Sequence, residues 1–354
     1  MTNAKRGMGR PPRSRMQQGL VGDRTLVGTR YLADPTLRSE YVRDIAPRTA
    51  VALGKILRET FPDPGARAHP LRVLDLGAGT GAAGAAVRAH FGNDTDLSSV
   101  DQIPAAGVGH VADITKIRSL SQVKRAGRPF DLLIAAHVLN ELYLDETPLE
   151  RPGRLAALVA DWCRFLLTDL GTLIVVEPAL RETSRALLGV RDHLVTSGLR
   201  IVAPCFFAGP CPALLRERDW CHDAGESHDV AGEKLAARGI LNRGPAGGSP
   251  GGRIAHRVDF SYLVIRRSGD PPTDPTLLRI VSDPLPEKGR LKLFGCGLSG
   301  RQPIVRLDRH ASAANADFDQ LKRGDVVRIE RATSATDGMR VVPDSTVSRP
   351  TRMR

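Results

Sequence analysis

The stretch VLDLGAGTGAAG, residues 73–84, constrains this chain more tightly than any other. An apolar strand runs into a series of glycines and then into an Ala-rich helix. Glycine lets the backbone turn sharply and come close to a ligand, and the start of a helix offers unpaired N–H groups. Gly77, Gly79 and Gly81 carry the turn. The same loop, read Gly77-x-Gly79-x-x-Ala82, would also satisfy a dinucleotide fingerprint. Asp75, two residues before Gly77, tips the choice. A carboxylate there is ill placed beside a pyrophosphate but suits the cationic amino group and sulfonium of S-adenosylmethionine. Asp101, 20 residues past Gly81 at the end of the next strand, can accept hydrogen bonds from ribose hydroxyls. Asp113, in VADIT, can reach an adenine amino group.

Around this loop, short apolar runs alternate with helical patterns. LRVLDLG (71–77), LSSVDQI (97–103), FDLLIAAHVL (130–139) and GTLIVVEP (171–178) read as strands. Helices are expected over 81–91, 116–125, 151–168 and 180–198. Near-continuous apolar strands between helices imply a parallel sheet covered on both faces. LRIVAP (199–204) and VDFSYLVIRR (258–267) would close such a sheet as a terminal hairpin. The fold class is therefore α/β: a Rossmann-like sheet of the class I methyltransferase type. HVLNEL (137–142) lies at the carboxyl edge of that sheet, where ligands bind, so His137 and Asn140 are candidate cofactor contacts, with Glu141 and Glu177 beside them. No catalytic residue stands out. The N-P-P-[YF] pattern of amino-group methyltransferases is missing, and Cys163 sits mid-helix in ADWCRFLL, as a core residue would.

The expected organisation is a basic disordered tail over 1–29, a helical region over 30–70, and the Rossmann-like domain over 71–270. That domain carries a Cys-bearing insertion at 205–257, closed by a Gly-rich loop from 237. A small β appendage follows over 271–330, then a second basic disordered tail over 331–354. Net charge is +12, of which residues 1–16 supply +5 and residues 331–354 supply +3. Basic tails on a nearly balanced core point to a polyanion, nucleic acid in the first place. No apolar run approaches the ~18 residues of a membrane span, and no apolar h-region follows the N-terminus. The expectation is a soluble, monomeric protein with no membrane partner, cytoplasmic in a bacterium or mitochondrial in a eukaryote.

Three of the five cysteines fall in APCFFAGPCPALLRERDWCHDA as Cys205, Cys211 and Cys221; Cys296 follows in LFGCG. Clustered cysteines in a chain of this kind are more often ligands than disulfides. The spacing is not that of a C-x2-C zinc ribbon. Four thiolates in Pro/Gly-rich loops suit a [4Fe–4S] cluster, and softness alone leaves Zn²⁺ open. His222 is a spare ligand or a hydrogen-bond donor.

GAGTGAAG, DLLIAAHVLNEL, VVEP, APC…GPCP…DWCH, FSYLVIRR and the late Cys296 occur in one order. In that order the chain resembles the methyltransferase-like family of small-ribosomal-subunit proteins, found in mitochondria and in bacteria, over about residues 30–330. The resemblance implies a methyltransferase fold, a [4Fe–4S] cluster on Cys205, Cys211, Cys221 and Cys296, and association with the small ribosomal subunit and its rRNA during maturation. Whether methyl groups are transferred to rRNA is left open by the resemblance. The alternative is a methyltransferase acting on non-ribosomal RNA or a small molecule, with a structural four-cysteine zinc site.

Overall fold

The computed structural model describes residues 14–65, 69–92, 95–104, 108–123, 128–226, 257–269, 273–336 and 338–350. Its helices are α1 (Arg15–Gln17), α2 (Pro35–Asp44), α3 (Ala46–Thr60), α4 (Ala82–Phe91), α5 (Ile117–Ser121), α6 (Arg151–Leu166) and α7 (Arg181–Thr196). The first eight strands are β1 (Leu71–Leu76), β2 (Thr95–Asp101), β3 (His110–Val111), β4 (Phe130–Ala136), β5 (Leu167–Pro178), β6 (Arg200–Ala203), β7 (Asp223–Glu226) and β8 (Arg257–Arg266).

These eight form one sheet in the order β3-β2-β1-β4-β5-β8-β6, with β7 also paired to β8. The pairs from β3 through β5 are parallel, whereas β8 runs antiparallel to both β5 and β6. This is the class I methyltransferase order, closed by a reversed strand. The two faces are buried by different helices. On one face, Leu155, Val159, Trp162, Leu187 and Val190 of α6 and α7 pack with Leu133 and Val175. On the other, Leu53, Ile56 and Leu57 of α3 and Val87 of α4 pack with Leu132, Ile174 and Tyr262. Covering both faces is what makes the central strands apolar throughout.

A second sheet is built from β9 (Leu277–Ile280), β10 (Leu285–Glu287), β11 (Arg290–Gly297), β12 (Gly300–Leu307), β13 (Val326–Glu330), β14 (Thr333–Ala335), β15 (Gly338–Val341) and β16 (Thr346–Ser348). Its order is β14-β15-β12-β11-β9-β13-β16, with β10 on β11. Leu278, Leu293, Ile304, Phe318, Val327, Val341 and Val347 form its own core.

Both ends of the chain depart from expectation. Residues 15–22 are helical, and Met16 and Leu20 are buried with Leu37 and Ile45, so order begins well before residue 30. The stretch expected as a disordered tail from 331 instead supplies β14, β15 and β16. Its arginines mask an alternation that buries Val341 and Val347. Residues 1–13, 227–256 and 351–354, which include the Gly-rich loop from 237, lie outside the described residues.

The two sheets meet at a buried ion-pair network. Asp223 accepts from Lys55 Nζ at 2.6 Å and from Arg279 at 3.1 Å. Arg279 also donates to Glu59 at 3.2 Å and to the Gly324 carbonyl at 2.8 Å. Burial opposes the charge on Asp223, but Lys55 and Arg279 outweigh it and hold the carboxyl below its ordinary value. Gly324 has φ +89°, and a Cβ there would lie 1.8 Å from Asp223 Oδ1, so only glycine fits. Removing one partner of a buried pair leaves an uncompensated charge. Arg279→Leu is therefore expected to cost about 3–5 kcal/mol in chemical denaturation, and adding Asp223→Asn should recover part of that loss. A midpoint unchanged by Arg279→Leu would show that the network does not hold the sheets together.

Candidate functional site

The glycine loop leaves β1 at the sheet's carboxyl edge. Gly77, Gly79 and Gly81 all have positive φ, and a Cβ on Gly77 would lie 2.5 Å from Val138. Gly77 N–H and Ala78 N–H donate to the Val100 carbonyl. Asp101, at the end of β2, accepts from Gly79 N–H at 2.8 Å and from Ile103 N–H at 2.9 Å. Each carboxylate oxygen keeps a free lone pair for a ligand hydroxyl. Asp75 is 1% exposed. One of its oxygens accepts from Gly84 N–H at 3.2 Å, and the other has no hydrogen-bond partner. Burial pushes its carboxyl up to about 7.

In front of this loop lies a cleft of about 720 Å³, open mouth included. Gly77, Gly79, Asp101, Asp113, His137 and Glu141 line it, with Tyr31 and Tyr41 from the N-terminal region. Asp113 reaches the cleft, yet its carboxylate is turned to Thr115, accepting from Oγ1 at 2.6 Å and from N–H at 2.9 Å. Those bonds hold its pKa below the ordinary carboxylate value. Asn140 lies outside this cleft. It donates to the His137 carbonyl at 3.0 Å and accepts from Arg24 at 3.4 Å.

Asn140 lines a second, adjoining cavity of about 1140 Å³, together with Arg48, Pro178, Arg257 and Phe260. Tyr31, Tyr41, His137 and Glu141 line both cavities and form the wall between them. His137 takes φ +60°, unusual for a residue with a side chain. Its Nδ1 is buried without a hydrogen-bond partner, and burial lowers its pKa to about 4. The imidazole is therefore neutral near pH 7. Glu141 accepts from Tyr31 Oη at 3.1 Å, and burial lifts its pKa to about 7. Glu177 accepts from Leu139 N–H at 2.8 Å and is lifted by burial to about 8. The role of the two tyrosines was not read from the sequence; the available hint was that two of only four tyrosines fall in the N-terminal segment.

The cysteines come together from separate elements. Cys205 and Cys211 follow β6, Cys221 precedes β7, and Cys296 lies on β11. Burial raises the Cys221 thiol, and the charges of Cys205, Cys211 and Cys296 raise it further. Cys296 responds to burial, Cys205 and Cys211 in the same way and is pushed up to about 12. The four thiols thus lie within electrostatic reach of one another. Among the described residues, however, no group of three or more His, Cys, Asp or Glu is arranged to hold a metal ion. Helix α7 pins their loop. Arg191 donates to the Phe207 and Gly209 carbonyls, Asp192 accepts from Cys211 N–H at 2.9 Å, and Arg185 donates to the Arg216 and Asp219 carbonyls. His222 stacks on Trp220, with centroids 6.0 Å apart. Cys163 is fully buried in the core under the sheet.

The model of one family, described as mitochondrial small ribosomal subunit Rsm22, matches residues 41–302. The chain belongs to the Rsm22 family. No curated protein matches this family member. Among solved structures, the plantazolicin methyltransferase BpumL in complex with SAH is 11% identical, covering 72% of this chain and 94% of its own, at a TM-score of 0.37. A SAM dependent methyltransferase from Aquifex aeolicus is 16% identical, covering 48% and 89%, at 0.31. The release factor-specific protein-(glutamine-N5) methyltransferase from Alicyclobacillus acidocaldarius is 21% identical, covering 44% and 82%, at 0.29.

The raised carboxyls have a consequence for stability. Asp75, Glu141 and Glu177 hold protons in the folded state that the unfolded chain has already released. Where the unfolded state binds fewer protons, stability falls as pH rises. His137 and His222 act in the opposite sense, but only below their ordinary value of 6.5. The Rsm22-family chain should therefore lose stability between about pH 6.5 and 8.5, by up to about 1.4 kcal/mol per pH unit for each such proton. Glu177→Gln should flatten that slope in denaturation series; an equal slope in both proteins would remove Glu177 from the account.

Proposed function

We propose that this chain is an S-adenosylmethionine-binding factor of the small ribosomal subunit, with a [4Fe–4S] cluster on Cys205, Cys211, Cys221 and Cys296, acting on rRNA. The observation that carries the cofactor reading is the carboxylate pair at the glycine loop. Asp101 faces the cleft with free lone pairs, and buried Asp75 lies behind the loop with one oxygen unpartnered. Asp101 suits ribose hydroxyls, and the backbone of Gly77 and Gly79 can lie close against the ligand. The negative charge Asp75 takes on is favoured by a nearby cation. Asp113 and His137 complete the wall of the cleft. The cofactor, when bound, supplies an electrophilic methyl group.

The second cavity favours methyl transfer over mere binding, because it adjoins the cofactor cleft across His137 and Glu141. Neutral His137 faces both spaces, its carbonyl held by Asn140, which Arg24 holds in turn. Membership of a small-subunit family, and a net charge of +12, favour rRNA as the acceptor.

The cluster reading rests on four thiols from separate elements that act electrostatically on one another. The Arg191 charge beside Cys205 and Cys211 suits an anionic thiolate set. The cluster would crosslink the loop from the first sheet to β11 of the second.

Three measurements test this reading. Asp101→Ala should weaken S-adenosylmethionine binding at least about tenfold by calorimetry, the scale of one charge-assisted hydrogen bond. Anaerobically purified protein should show broad visible absorbance that Cys296→Ser abolishes and Cys163→Ser leaves intact. Immature small subunits incubated with methyl-labelled cofactor should carry label in rRNA; label confined to protein, or none, would overturn the acceptor assignment.

A further inference from the structure

We infer that the outer face of β11 and β12 is a binding platform for single-stranded RNA. This rests on the reading of the chain as a small-subunit factor and names the surface that would touch the RNA. The second sheet has a specific topology. Taking β9, β11, β12, β13 and β15 as strands one to five, the order is five-three-two-one-four. Strands three and five are parallel, and one and four antiparallel. A 3-10 helix, Ala313–Gln320, lies between strands three and four. That is the OB-fold plan, a partly open five-stranded barrel whose strands two and three present an oligonucleotide-binding face.

The side chains on that face match the use. Residues 290–307 hold Arg290, Lys292, Arg301 and Arg306 and no Asp or Glu. Arg306 turns inward to Asn315 and Asp319. The alternation of β11 sends Leu293 into the core and leaves Lys292, Phe294 and Cys296 on the other side. The register sets Lys292 against Val305, Phe294 against Pro303 and Cys296 against Arg301. Val305 in turn pairs with Arg340 of β15. Phe294 has Lys292 Nζ 5.1 Å from its centroid and the Arg301 guanidinium at 4.7 Å. Arg301 is itself paired with Asp219 at 3.0 Å, so Lys292 is the cation that this acid-free strand pair offers beside Phe294 to a stacked base and its phosphates. In a duplex the base faces are covered by the neighbouring pairs, so the ligand is single-stranded. Cys296 lies one step along the same face, so the platform abuts the cysteine site.

The test is fluorescence anisotropy with a labelled 12-nucleotide oligouridine and the full-length protein. Phe294→Ala should weaken binding about 5- to 150-fold, the worth of one stacked base, and Phe294→Trp should restore it. Lys292→Ala should reduce the slope of log affinity against log salt by about 0.7. An affinity of Phe294→Ala within twofold of the parent, or equal binding of a 12-base-pair duplex, overturns the inference. Co-sedimentation with small subunits is measured separately. If the parent and Phe294→Ala co-sediment alike, the platform is wrong and the small-subunit reading stands. If the oligonucleotide binds through Phe294 but the parent does not co-sediment, the platform stands and the small-subunit reading falls.

Discussion

The architecture depends on the junction of Asp223, Arg279, Lys55 and Glu59. Each of the two sheets has its own apolar core, and neither core extends into the other. At their junction a set of charges is taken out of water together, beside the outer pairs Arg257–Asp283, Lys322–Glu226 and Arg301–Asp219. Such a set is unforgiving, because each member is tolerable only while the others neutralise it. It also fixes chain geometry nearby. Asp223 opens β7 two residues after Cys221, while Arg279 on β9 pairs in register with Cys296 on β11. The same ion pairs that align the sheets therefore set the positions of two cysteines on opposite sides of the junction.

The other two cysteines are placed by α7. Arg185, Arg191 and Asp192 bind backbone atoms of the 207–219 loop. A loop with so many Pro and Gly residues has little regular hydrogen bonding of its own, so side chains from a neighbouring helix must satisfy it. Burial pushes these thiols above their ordinary value. The cysteine positions are thus set by groups other than the cysteines themselves.

Much of the first sheet was legible because its signals are local. The VLDLGAGTGAAG turn and the apolar strands each declare themselves within about ten residues, and β1, β2, β4, β5, β6 and β8 overlap the runs read as strands. Asp101 and His137 were legible for the same reason, sitting at the carboxyl ends of strands. The N-terminal contribution was not, because Met16 and Leu20 matter through a small core with Leu37 and Ile45, and Tyr31 through a cleft made elsewhere. The C-terminal strands were hidden by arginine: a charged, Gly- and Ser-rich stretch reads as a tail until Val341 and Val347 find a core. Asn140 shows the limit of edge-of-sheet reasoning, which located the right turn but could not say which of two cavities the side chain would face.

The wall shared by those two cavities carries a further consequence. Tyr31, Tyr41, His137 and Glu141 have only one set of positions to offer, and each position is felt on both sides. A ligand that fixes the Tyr31–Glu141 hydrogen bond from one side alters the room and charge available on the other. By thermodynamic linkage the effect must be mutual: whatever the first occupant does to the affinity of the second, the second does to the first by the same factor. The partition makes the two chambers a coupled pair, in which the order of filling is free but the final occupancy is negotiated.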